Sequence, residues 1–331
     1  MSAVWIRNGN TWKQSSIYVR VGGVWKLCTI PILYTTELVI HILAANNNTT
    51  ANQNVDVKNL FEATYPGSWS AGVSKRVIVD PGAIVGATAT AYYALNIPGA
   101  FSGSVKVDNN GSIQGAGGVG SSATGGNAIF AGASGITINN LGTIYAGGGS
   151  GGFGGTGGTG SYTVTNLLGP GILGSFSCNE SCSNKFGGAA VCVKSSPSYL
   201  YSPGVGCFYV NPRGMVITSC TDCRTYTTVS TAGGVGGNGG PGQGYNQSAA
   251  AGATGFDGGT NAGKGGFGGT GGAFGASGGN GFAGANGNPG LAVQAVGAPG
   301  GPGYGGLAGY YIVNNGNVTW ITTGTRLGRV G

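Results

Sequence analysis

The feature that most constrains this chain is glycine at two positions of every three. The runs Gly151-Gly-Phe-Gly-Gly-Thr-Gly-Gly-Thr-Gly160, Gly233-Gly-Val-Gly-Gly-Asn-Gly-Gly240-Pro-Gly and Gly265-Gly-Phe-Gly-Gly-Thr-Gly-Gly272 share this period, and further runs fill 275–309. A polyproline-II-type helix turns once in three residues and rises about 3.1 Å per residue. A Gly-Gly-x repeat in that helix leaves two edges bare and projects x from the third. Bare edges let neighbouring backbones approach to hydrogen-bonding distance. Ordering costs about 1–2 kcal/mol per residue, and most for glycine, while one net hydrogen bond returns about 1 kcal/mol. Cα–H···O contacts add about 0.5–1 kcal/mol each. A lone glycine helix therefore does not hold, whereas a close-packed layer of several can. The alternative is a flexible linker. Collagen is excluded, since it needs long Gly-X-Y tracts rich in proline and these runs are short and interrupted.

Composition argues for order. Glycine supplies 74 of 331 residues and only 23 are charged (15 Lys plus Arg, 8 Asp plus Glu), yet the chain carries 5 Trp, 15 Tyr and 11 Phe. Disordered chains are rich in charge and poor in aromatics. Helix is expected to be scarce, because glycine and β-branched residues both disfavour it.

Two repeats stand outside the glycine runs. Ile6-Arg7-Asn8-Gly9-Asn10-Thr11-Trp12-Lys13 matches Val19-Arg20-Val21-Gly22-Gly23-Val24-Trp25-Lys26. Asn8-Gly9 and Gly22-Gly23 supply turn positions, so each copy reads as a small β-hairpin. Farther on, Val105–Gly118 matches Ile136–Gly149, and a degenerate third copy is Ile312-Val-Asn-Asn315-Gly316-Asn-Val318. Each reads as strand, Asn/Gly turn, short strand, and the recurrence argues that the units stack. The expected fold is mostly β plus irregular. Residues 1–114 form a β-rich domain of hairpin and sheet, 115–310 a layered bundle of polyglycine-II helices interrupted by 161–231, and 311–331 a closing β segment.

The segments 121–135, 161–231, 245–254 and one around 291–298 interrupt the glycine pattern and read as loops at the bundle ends. A rigid scaffold presenting variable loops is a common binding design. The longest, 161–231, holds Cys178, Cys182, Cys192, Cys207, Cys220 and Cys223. Six cysteines allow fifteen pairings, which sequence does not choose between. A zinc set of Cys178, Cys182, Cys220 and Cys223 would leave two over, with no histidine near; disulfides are the favoured reading, and no metal is expected. Cys28 stands apart as a buried small residue. Tyr and Arg are enriched at binding hot spots, so the partner-contact candidates are Tyr162, Tyr199, Tyr201, Phe208 and Tyr209, with Arg213, Arg224 and Tyr226. Tyr245 and Phe256 extend the set beyond the insertion.

Other classes find little support. The net charge of +7 is spread out, without the Lys/Arg clusters of a nucleic-acid surface. No stretch approaches the roughly 20 apolar residues of a membrane span, and the N-terminus lacks the layout of a secretory signal. Glycoside hydrolysis usually needs two carboxylates across a cleft, and acids are few. Glu62 and Asp80 would be the first to test in a polysaccharide-degrading spike. His41, the single histidine, reads as structural. Gly-x-Gly-x-x-Gly matches lack the strand-to-helix context of a nucleotide site, so no cofactor is expected and the protein is expected not to be an enzyme.

The paired Trp12-Lys13 and Trp25-Lys26 hairpins, the run Val107-Asp-Asn-Asn-Gly-Ser-Ile-Gln-Gly-Ala-Gly-Gly118 and the ending Asn315-Gly-Asn-Val-Thr-Trp320-Ile-Thr-Thr-Gly-Thr-Arg326-Leu-Gly328 resemble parts of receptor-recognising adhesins at the tips of T-even-type phage long tail fibres. The resemblance implies that an N-terminal domain docks onto a trimeric tail-fibre protein, with Trp5, Trp12, Lys13, Trp25 and Lys26 as attachment candidates. It also implies a distal layered sandwich of polyglycine helices. Variable loops there would grip a bacterial outer-membrane protein or surface glycan at the virion's fibre tip. The six-cysteine insertion departs from that pattern. The rival readings are a structural subunit of a trimeric fibre or filament, and the polysaccharide-degrading spike.

Overall fold

The computed structural model describes residues 37–167, 223–289 and 297–331, and outside these the strands at 4–8, 11–15, 18–21, 24–27, 177–178, 199–202, 206–211 and 214–217. The first strands are β1 (Val4–Asn8), β2 (Thr11–Ser15), β3 (Tyr18–Val21) and β4 (Val24–Leu27). They pair as two antiparallel hairpins with matching register: Arg7 lies opposite Trp12 and Ile6 opposite Lys13, as Arg20 lies opposite Trp25 and Val19 opposite Lys26. The thirteen-residue repeat is therefore one hairpin used twice.

The next elements wind as stacked coils. The first coil holds β5 (Leu38–Ile42) and β6 (Val55–Asp56), followed by helix α1 (Val57–Thr64). The second holds β7 (Lys75–Val79), β8 (Ile84–Gly86) and β9 (Leu95–Ile97). The third holds β10 (Val105–Asn109), β11 (Ser112–Gln114) and β12 (Ile129–Ala131). The fourth opens with β13 (Ile136–Asn140) and β14 (Thr143–Tyr145). A long excursion then carries β15 (Gly160–Leu167), β16 (Ser177–Cys178), β17 (Tyr199–Ser202), β18 (Gly206–Asn211), β19 (Gly214–Ile217) and β20 (Cys223–Thr231). The fourth coil closes with β21 (Tyr310–Val313), and β22 (Val318–Thr322), β23 (Thr325–Leu327) and β24 (Arg329–Val330) make the fifth.

These coils build three parallel sheets, ordered β22-β13-β10-β7-β5, β23-β14-β11-β8 and β24-β21-β12-β9-β6. The result is a three-sided parallel β-solenoid. Alternation along each strand sends β-branched residues inward, where they stack in columns. One column is Ile40, Val77, Val107, Ile138 and Trp320; another is Val55, Leu95, Ile129 and Ile312, with the exposed Val330 next in register. Val77, Val107, Ile138, Leu95, Ile129 and Ile312 are fully buried, each worth roughly 1.5–3 kcal/mol of apolar burial. The third column, Val85, Ile113 and Ile144, ends on Arg326. Its guanidinium lies 5.0 Å from the Tyr311 ring centre and 4.7 Å from that of Trp320, so a cation–π stack stands where the apolar column stops.

The recurring asparagines sit at the corners. Asn109 Nδ2 donates to Asn140 Oδ1 at 2.7 Å, and Asn140 Nδ2 donates to the Thr323 carbonyl at 2.7 Å. Both residues are fully buried, so these bonds satisfy amides that would otherwise cost about 1–3 kcal/mol each. The Val105–Gly118 and Ile136–Gly149 copies are thus successive coils. The third copy behaves differently: Val318–Thr322, not Ile312, stacks on Ile136–Asn140, so its Asn-Gly corner falls between a different pair of sheets.

The chain divides into two units, Met1–Ala116 with Gly126–Ala146 and Tyr310–Gly331, and Gly117–Gly125 with Gly147–Gly309. This redraws the expected boundaries at 114/115 and 310/311, because residues 126–146 and 310–331 complete solenoid coils. The expected loop 121–135 is corrected with them, since β12 lies inside it. Among the described residues α1 is the one α-helix. The expectation of a β-rich chain with little helix agrees with this; α1 itself was not expected. Asp56 caps it by accepting the Asn59 N–H, and Val57 and Phe61 are buried.

In the second unit, residues 147–159 bond four other runs. The N–H groups of Gly148, Gly151, Gly154 and Gly157 donate to the carbonyls of Gln243, Gly240, Gly237 and Gly234. Those of Gly149, Gly152, Gly155 and Gly158 donate to Ala276, Gly279, Phe282 and Ala285. In return, carbonyls 149, 152, 155 and 158 accept from Gly272, Gly269, Gly266 and Gly263, while 147, 150, 153 and 156 accept from Gly309, Gly306, Gly303 and Gly300, all at 2.7–3.0 Å. A β-strand bonds two neighbours; this run bonds these four at every third residue, and residues 118–123 besides. Residues 250–256, expected in part as a loop, form an outer run: Ala250, Ala253 and Phe256 donate to Pro241, Asn238 and Val235.

Candidate functional site

The insertion at 161–231 emerges from the middle of this hydrogen-bonded array. The bonds from Gly148 to Gln243, Gly151 to Gly240, Gly154 to Gly237 and Gly157 to Gly234 step by three. The next step is Gly160 opposite Thr231, where β15 and β20 begin an antiparallel ribbon that runs to Leu167 opposite Arg224. No residue is skipped at the change, so the ribbon inherits its register from the glycine runs.

The ribbon carries three of the candidates, with Tyr162 opposite Val229, Tyr226 opposite Thr165, and Arg224 opposite both Leu167 and Ser177. Tyr162 is half-buried. A second antiparallel sheet, β17-β18-β19, sets Tyr199 opposite Tyr209, Leu200 opposite Phe208 and Tyr201 opposite Cys207. Arg213, Cys28, Cys182, Cys192 and Cys220 lie outside the described residues, as does most of the 291–298 segment. Phe256 is 68% exposed, whereas Tyr245 is 7% exposed. Tyr245, expected to face a receptor, is corrected to an interior residue.

Another set of exposed residues lies outside the sequence-predicted candidates. Phe153, Val235 and Phe267 stand at x positions of the triplets, and with Phe282 and Tyr304 they are 50–80% exposed. Phe282 and Phe267 are adjacent, the N–H of the first donating to the carbonyl of the second at 2.8 Å. The signal was present in the period, which reserves one edge in three for a side chain.

Every described acid is engaged. Glu62 accepts the Gly67 and Trp69 N–H groups, each at 2.7 Å. These bonds, that from Trp69 foremost, hold its carboxyl below the ordinary value of 4.5. Asp80 lies 2.8 Å from His41 Nδ1, and Asp56 accepts from Asn59 and Asn96. Asp108 meets Arg76 and Lys106, Glu37 meets Arg76, and Asp257 meets Lys264. Lys75 is fully buried and donates to the carbonyls of Ala71, Val73 and Ser102; burial pushes its ammonium below the ordinary 10.5. Among the described residues no group of three or more His, Cys, Asp or Glu could hold a metal ion, and no helix is long and apolar enough to cross a membrane.

The family model described as Phage tail fibre adhesin Gp38 matches residues 37–206. The chain belongs to this family of phage tail fibre adhesins, components of the virion tail that act in host attachment. Among solved structures, the crystal structure of the gp37–gp38 adhesin tip complex of the bacteriophage S16 long tail fiber is similar at 16% identity and a TM-score of 0.36, over 89% of this chain and 82% of that one. No curated protein matches the chain.

Proposed function

We propose that this chain is a binding protein at the distal tip of the tail fibre, without a catalytic step. In this reading the N-terminal hairpins and solenoid attach it to a trimeric tail-fibre protein, with Trp5, Trp12, Lys13, Trp25 and Lys26 in that contact. The glycine unit is a rigid bundle of polyglycine-II helices. The insertion 161–231 is the main element offered to a bacterial outer-membrane protein or surface glycan. The observation that carries the reading is the unbroken register from the glycine runs into the β15–β20 ribbon. A segment rooted in a densely bonded array holds one position and forfeits less freedom on binding.

Against the spike alternative stands the state of its two first candidates. A general acid in glycoside hydrolysis has a raised pKa, whereas two backbone N–H groups hold Glu62 down and Asp80 is engaged by His41. The test is deletion of 162–230 with a short glycine bridge, scored by adsorption of phage to host cells. The reading expects adsorption to be lost in a variant whose glycine unit stays folded by amide exchange. Unchanged adsorption by that folded variant would overturn it.

A further inference from the structure

We propose that Cys178 and Cys223 are joined as a disulfide that closes the root of the insertion. The pairing of β16 with β20 sets Ser177 opposite Arg224 and Cys178 opposite Cys223. Directly opposed residues of an antiparallel pair hold their Cα atoms roughly 4.5–5.5 Å apart, within the about 4.4–6.8 Å span that a disulfide bridges. Of the fifteen pairings the six cysteines allow, those containing this link are selected by register alone. Cys207, the other cysteine in a described strand, lies opposite Tyr201 and has no cysteine across from it.

The position gives the bond its consequence. β20 pairs with β16 and also with β15, the strand whose register continues from the glycine runs. Cys223 is next to Arg224, the last residue of the β15–β20 ribbon pairing. A bond there ties the chain beyond β15 to the ribbon and encloses residues 178–223 in a covalent loop. Closing a loop removes conformations from the free chain, so less ordering remains for a receptor to impose. The consequence for adsorption rests on the insertion being the receptor-facing element; the bond itself does not.

The chemistry balances with dioxygen as the oxidant, available once lysis releases the particle. The two thiols give up two protons and two electrons, the S–S bond forms, and dioxygen is reduced to hydrogen peroxide. Reduced thiols in the cytosol and a disulfide outside also fit the compartments in which disulfides form and persist.

The test uses the full chain purified from phage. Free thiols are alkylated without reductant, the protein is digested, and peptides are identified by mass. The proposal expects a Cys178 peptide linked to a Cys223 peptide, two hydrogens lighter than the two thiol forms together and separated by reductant. Alkylation of both cysteines, linkage of either to a different cysteine, or alkylation that requires a chelator to release bound zinc would each overturn it. A second measurement compares adsorption of wild-type, Cys178→Ser and Cys223→Ser phage with and without reductant. The expected result is an equal loss in both variants, with reductant lowering wild type to their level and leaving them unchanged. A linked peptide with adsorption indifferent to all three treatments would leave the bond standing and overturn the receptor-facing reading instead.

Discussion

The two units of this molecule solve the same folding problem by opposite means. The solenoid hides side chains: columns of Val, Ile and Leu fill a core, and backbone hydrogen bonds join each coil to the next. The glycine unit hides backbone. Most of its interior positions are glycines, its central run bonds four others at every third residue, and Phe153, Val235, Phe267, Phe282 and Tyr304 stand outside while Tyr245 is buried. In the solenoid the hydrophobic effect acts on buried apolar area; in the glycine unit, stability must come from hydrogen bonds, close contacts and the exclusion of water from a dense array. The contrast teaches that glycine can be a packing residue when what it packs is the main chain.

The contrast makes opposite demands on substitution. The largest effect is expected from Gly236→Val: a Cβ there would overlap the Gly154 carbonyl oxygen, and backbone on both sides cannot yield as a side chain can. The variant should lose roughly 3 kcal/mol or more, read as early unfolding of the glycine unit in a denaturant titration. Wild-type behaviour would mean that the runs are not packed. In the solenoid the opposite change is harmful. Ile138→Ala empties a fully buried site and should cost about 2–5 kcal/mol by chemical denaturation.

A smaller effect is expected from pH. Glu62 has a lowered folded-state pKa, so its contribution is present above the ordinary 4.5 and is lost as pH falls through the folded value. Thermal stability of wild type should therefore drop more steeply below pH 4.5 than that of Glu62→Gln; parallel profiles would remove the assignment. The smallest effect belongs to Gly301→Ala. A methyl group on this glycine would meet no atom within 4 Å, and the variant should stay within about 0.5 kcal/mol of wild type. A large loss there would show that glycine matters in these runs for reasons other than close approach.

Much of the glycine unit was legible because its period equals its geometry. Hydrogen bonds recur at every third residue, as the glycines do, and Phe153, Val235 and Phe267 at the remaining position are exposed. The hairpins were legible because the two copies repeat their turn residues and their Trp-Lys pairs. The solenoid was legible only at its third and fourth coils. Strands of its first sheet begin at 38, 75, 105, 136 and 318, so the steps are unequal, the first lengthened by α1 and the last by the long excursion. Strands as short as Ile84–Gly86 and Leu95–Ile97 carry too few residues for an alternation to register. Helix α1 hid for a similar reason, with eight residues and two buried positions. In the candidate site Tyr245 went inside because burial depends on neighbours that sequence does not reveal.

The central claim is that the glycine runs are a solid array with a fixed bonding period, and residue-resolved amide exchange on the full chain tests it most directly. Across 263–272 the N–H groups of Gly263, Gly265, Gly266, Gly268, Gly269, Gly271 and Gly272 donate to backbone carbonyls, while among the described residues no carbonyl receives those of Lys264, Phe267 or Thr270. The account predicts slow exchange at the first group and fast exchange at the second, a pattern repeating every three residues and continuing at Phe153 and Thr156 in the central run. Uniformly fast exchange across these runs, with no period of three, would contradict it.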